Sequence, residues 1–416
     1  MTTDRRSSRV AVRVVVAAVV VLAVALGVLA WRLHGRDTYV VPAGAARSGR
    51  PAAEQPGEAA AALNALQRAV RDARPDQVQG TAARTAVANA VALRVQDFTA
   101  RYVAQDGAVA RDGSWSADVA ITWRFGGVDA STASTDVSAT FAPAGDDGGG
   151  RVEVTGFGAG EGRLPLWLAG PVQVRRTEDA TVVLAGSGVA AQRRAARYGT
   201  LADRAVAAVR KVLPWPHPDL VLEVPSDEAG LERMMGAASG TYHGVAAVTA
   251  SVDGSASGPV HVLVNPQVIG GLNTQGAQIV LSHEATHAAT DVATNQTLPP
   301  WLLEGFADYV ALRDVTLPLS TTARQIIAEV RTDGAPAHLP GSAEFNDQSE
   351  SFGAEYEAAW LACRLLARLG GEQALVHLYD DVRGGAGLDA TMRRQFGFGL
   401  TDFTTQWRRE LQGLAR

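Results

Sequence analysis

Leu281-Ser282-His283-Glu284-Ala285-Thr286-His287 is the stretch that decides how the second half of this chain folds. Ile279, Val280 and Leu281 precede the histidines and Ala288 and Ala289 follow them, and this apolar spacing predicts a helix from about Gln275 to Val292. On such a helix His283 and His287, four residues apart, share one face, so their imidazoles can converge on one metal ion. Glu284 projects at the neighbouring angle. That sets its carboxylate beside the ion and outside the ligand set, where it can take a proton from water. Two imidazoles and a carboxylate are costly to bury among alanines and leucines unless they are paired or bound to a cation.

Working outward, Leu298-Pro299-Pro300-Trp301-Leu302-Leu303-Glu304-Gly305-Phe306-Ala307-Asp308-Tyr309 comes next. The two prolines mark the start of a second helix, and the intervening residues allow a turn that returns it against the first. Glu304 is then the candidate third ligand. Two histidines and one carboxylate leave a fourth position open, which is the pattern of catalytic and not of structural zinc sites. Asp308 stands four residues past Glu304 on the same face, placed to accept the free N–H of a ligating histidine.

These two motifs together resemble the gluzincin metallopeptidases, specifically the bacterial peptidase MA-like group, over about Leu201 to Leu414. The resemblance implies one zinc ion per chain, peptide-bond hydrolysis, His283, His287 and Glu304 as ligands and Glu284 as general base. It also implies that Pro259-Val260-His261-Val262-Leu263-Val264-Asn265 is the edge strand that holds substrate, and that Tyr356, within Phe352 to Trp360, steadies the oxyanion. Tyr242 and His243 are rivals for that last role. His261 reads as a strand-face residue and Cys363 as a small core residue. No signature for gripping a free amino terminus is present, so cleavage within a peptide or protein chain is the expected mode. All four of His283, Glu284, His287 and Glu304 are intact, which favours an enzyme over a catalytically inactive, peptidase-like binding or scaffold protein of the cell envelope.

The rest of the chain sets the frame. At 416 residues with 47% apolar and 19% charged residues, it can bury more than one core and is not a disordered polymer. A net charge of -5 gives no electrostatic ground for a nucleic-acid partner. The single cysteine, Cys363, excludes an intramolecular disulfide and a thiolate metal cage.

Arg5, Arg6, Arg9 and Arg13 precede an uncharged apolar run over 14–31, about 27 Å long as a helix, so a single transmembrane helix is expected. A cleaved signal peptide fits less well, its small-residue site at Ala43-Gly44-Ala45 being too distant. The arginines place residues 1–13 in the cytoplasm, with the remainder outside the cell membrane. A linker is expected over 32–58, then a module over 59–187 with helices on one face of an antiparallel sheet, similar to NTF2-like or cystatin-like folds. A gluzincin-type domain over 188–416, a small sheet followed by a helical bundle, completes an α+β fold class.

Overall fold

Helix α1 (Pro56–Arg71) takes a proline into its first turn and buries Leu63, Leu66 and Val70 on one face, and α2 (Thr81–Leu93) buries Val87, Ala90 and Leu93. Both pack into one core with an antiparallel sheet in the order β1 (Val95–Asp106), β2 (Trp115–Phe125), β3 (Ala133–Pro143) and β4 (Val152–Phe157). In β2 every second residue from Trp115 to Phe125 is buried and those between are not, the period of a strand with one solvated face. The computed structural model describes residues 55–144, 150–291, 297–345 and 352–416.

A second, mixed sheet follows in the order β5 (Val172–Arg176), β6 (Ala180–Ala185), β7 (Leu220–Val224), β9 (Val260–Val264) and β8 (Ala247–Ser251). β6 pairs in parallel with β7, and β7 in parallel with β9, while β5 and β8 run antiparallel at the two edges. Helix α3 (Gly188–Arg210) makes the crossover from β6 to β7. Leu220, Leu222 and Val224 face one core while Val221, with Val183 and Leu263, joins the core of the first sheet. Burial on both faces explains why these strands are mainly apolar and do not alternate, the ionisable exceptions Glu223 on β7 and His261 on β9 being buried against each other.

This arrangement corrects the expected fold class. The chain is α+β, with a four-stranded antiparallel sheet and a five-stranded mixed one. β5 and β6, which fall within the module expected over 59–187, are built into the second sheet, because the run Ala180-Thr181-Val182-Val183-Leu184 suits a strand covered on both sides. The expected transmembrane helix over 14–31 lies outside the described residues, and no described helix is long and apolar enough to cross a membrane.

Three helices carry what matters next. α4 (Thr274–Ala289) is capped by Asn273, whose side chain accepts the Gly276 N–H at 2.8 Å. α5 (Pro300–Leu312) begins at the proline pair and packs on α4. α6 (Phe352–Gly370) crosses α5 so closely that a Cβ on Gly305 would lie 2.3 Å from the Ala359 carbonyl oxygen. Only glycine lets the residue after Glu304 approach a neighbouring backbone to this degree.

Candidate metal centre

α4 and α5 bring three donor atoms to one point. His283 Nε2 and His287 Nε2 are 3.0 Å apart, and Glu304 Oε2 lies 3.1 Å from the first and 3.4 Å from the second. Donors held tetrahedrally at about 2.0–2.2 Å from a zinc ion stand about 3.3–3.6 Å from one another, so the triangle is a few tenths of an ångström tighter than zinc requires. Among the described residues this is the one group of histidine, cysteine and acidic side chains with ligand atoms clustered this way.

Asp308, one turn along α5, places Oδ1 2.8 Å from His283 Nδ1. With Nδ1–H donated to Asp308, His283 presents a bare lone pair at Nε2 toward a carboxylate oxygen and a second imidazole. Lone pairs at this separation repel unless a proton or a metal cation sits among them. Two nitrogens and one carboxylate oxygen are a donor set that suits zinc. His287 Nδ1 is buried with no hydrogen-bond partner among the described residues.

The electrostatics agree with a cation site. Burial by itself disfavours the His283 imidazolium, but the carboxylates of Asp308 and Glu304 outweigh it and hold the ring's pKa well above its ordinary value. Burial likewise opposes ionisation of Glu304, and the adjacent His287 and His283 overcome this and hold its carboxyl well below the usual range. The cluster thus attracts positive charge while remaining deprotonated at the acid.

The triad lies on a cleft of about 560 Å³. Gly244 to Thr249, from β8 and the turn before it, form one wall, and Ile279, Val280 and Leu303 supply apolar lining. The strand beside the site is therefore β8. Val260 to Val264, expected at the edge, is β9 and lies inside the sheet between β7 and β8. His261 on that strand is 1% exposed, held by Glu223 Oε1 at 2.6 Å and Asp129 Oδ1 at 2.9 Å, far from any ligand role.

Glu284 also lines the cleft. Thr249 on β8 donates its hydroxyl to Glu284 Oε2 at 2.6 Å, a contact invisible in the sequence, where Thr249 is one hydroxyl in a short apolar strand. Tyr356 on α6 lines the same cleft, its ring centroid 6.1 Å from that of His283. Burial, with the negative charge of Glu304, Asp308 and Glu284, pushes its phenol up, so the hydroxyl is a proton-bearing donor at neutral pH. Tyr242 and His243 are not among the residues lining the cleft; Tyr242 packs toward the first core and the His243 side chain is 86% exposed. Cys363 is fully buried, which pushes its thiol up and leaves it a core residue.

Compared with known proteins, the chain matches no family model and no curated protein.

Proposed function

We propose that this chain is a zinc-dependent peptidase that hydrolyses peptide bonds within an extended substrate segment. The observation that carries this reading is the convergence of His283, His287 and Glu304 within 3.4 Å on a cleft walled by a sheet edge, with Glu284 beside them. The resemblance of the two helical motifs to the gluzincins supports it.

A zinc ion held by these three residues would supply Lewis-acid polarisation of the scissile carbonyl and lower the pKa of water toward about 7. The chain's own residues do the rest. The open edge of β8 binds an extended peptide through main-chain hydrogen bonds, which fixes where its carbonyl falls. Glu284 takes a proton from the attacking water and passes it to the departing nitrogen. The Tyr356 hydroxyl donates a hydrogen bond to the carbonyl oxygen as negative charge builds there. Asp308 holds the His283 ring in one tautomer and orientation.

The test is metal content and peptide cleavage of the full chain, with and without Glu284→Gln. About one zinc per chain in both proteins, and hydrolysis only in the unmodified one, is the expected result. Zinc bound with no peptide cleaved by the unmodified protein would leave it a peptidase-like binding protein.

A further inference from the structure

Thr249 on β8 hydrogen-bonds the candidate general base. Thr249 Oγ1 lies 2.6 Å from Glu284 Oε2 and 3.1 Å from the Glu284 backbone oxygen. A hydroxyl has one proton, and the shorter contact to the carboxylate takes it. The bond ties up one oxygen of Glu284 and leaves the other to the cleft.

The main chain of the same residue points elsewhere. Asn265 N–H donates to Ala246 O at 2.9 Å and Val252 N–H donates to Pro259 O at 3.0 Å, at the two ends of the β8–β9 ladder. The two-residue repeat of an antiparallel ladder then turns the N–H and C=O of Val248 and Ala250 toward β9. Those of Ala247 and Thr249 face the open edge, while the Ser251 carbonyl turns to accept the Gly254 N–H at 3.2 Å. β8 is the last strand of the sheet, and Gly244 to Thr249 line the cleft.

We propose that Thr249 is a positioning residue that links substrate seating to proton transfer: its main-chain groups pair with an extended peptide while its hydroxyl fixes one carboxylate oxygen of Glu284 and leaves the other facing the peptide bond. A peptide added to β8 therefore holds still the strand that holds the base. This rests on the peptidase reading above and assigns a role that neither helical motif contains. Thr249 is half-buried, and valine has its shape without the hydroxyl, so removal of the bond leaves the strand's packing in place.

The experiment compares Thr249→Val, Thr249→Ser and Glu284→Gln in the full chain, using a peptide the unmodified protein cleaves and a phosphinic analogue of it. Thr249→Val is expected to keep its zinc and its KM within about threefold while kcat falls about tenfold to hundredfold. Affinity for the phosphinic analogue should fall in step with kcat/KM, while Thr249→Ser should return both to within about threefold of the unmodified protein. The proposal is overturned by an unchanged kcat in Thr249→Val, by zinc loss in that variant, or by a serine variant as impaired as the valine one. Absence of hydrolysis in the unmodified chain would remove the peptidase reading and this role with it. Hydrolysis that Glu284→Gln abolishes and Thr249→Val leaves intact would remove the role of Thr249 alone.

Discussion

His261 on β9 and His283 on α4 each have a carboxylate against both ring nitrogens, yet the two clusters do different work. At His261, Glu223 and Asp129 take one nitrogen each, at 2.6 and 2.9 Å, and the three side chains are 5% exposed or less. The space that Glu223 lines holds about 10 Å³, room for a water at most. At His283, Asp308 takes Nδ1 at 2.8 Å, but Nε2 shares its side with His287 and Glu304 on a cleft of about 560 Å³. One acid more than imidazole makes a closed ion cluster that joins the turn after β2 to β7 and β9. Two imidazoles and one of the two acids, aimed at a single point on an open cleft, make a place for a cation. Stoichiometry and access separate a staple from a site, since the residue types are the same.

The largest way to break the comparison is to remove one acid from the open cluster. Glu304→Ala is expected to abolish zinc binding, read by metal content after gel filtration, and with it all hydrolysis, while the circular dichroism spectrum is unchanged. A variant that still binds one zinc per chain would mean that the three atoms do not form the site.

The matching change at the closed cluster should act on stability instead. His261→Leu strands two buried carboxylates without their cation, a loss of about 3–5 kcal/mol measured by urea denaturation, with zinc per folded chain unaltered. The pH dependence has a defined sign. Burial opposes the His261 imidazolium, but Asp129 and then Glu223 outweigh it and raise its pKa from 6.5 to about 10 in the folded chain. That stabilisation is therefore whole below pH 6.5 and is lost as pH rises through about 10. The unmodified protein should lose stability across this window and His261→Leu should not.

The sequence made the open cluster far more legible than the closed one, for a physical reason. His283, Glu284 and His287 sit on one helix, and Glu304 and Asp308 on the next, so helical periodicity and the proline start at Pro299-Pro300 place all five. His261 meets partners 38 and 132 residues away, and no local pattern encodes contacts of that range. Strand order failed on the same ground. Ala247–Ser251 and Val260–Val264 are both short apolar strands, and which one lies at the edge is set by the parallel pairing of β7 with β9. β2 is the opposite case, since its alternation of buried and solvated residues from Trp115 to Phe125 is a local pattern that the sequence itself carries.

A change of intermediate size sharpens the site's chemistry. Tyr356→Phe keeps the ring beside His283 and loses the donor, and about a hundredfold drop in kcat with zinc and KM retained is expected. An unaffected kcat would return Tyr356 to a packing role on α6.

The smallest expected effect tests the two aspartates against each other. Asp308 touches the His283 ring on the side away from the other donors, so Asp308→Ala frees the imidazole to turn and weakens zinc binding by about tenfold to hundredfold, measured by competition with a chelator. Asp129 also caps a histidine nitrogen and in addition accepts the Phe125 N–H at 2.6 Å, but its histidine contributes to no donor triangle. Asp129→Ala should therefore cost folding stability and leave the zinc dissociation constant where it was. Equal losses of zinc affinity in the two variants would mean that the closed cluster supports the metal centre through the β7–β9–β8 sheet, and the separation of staple from site would not hold.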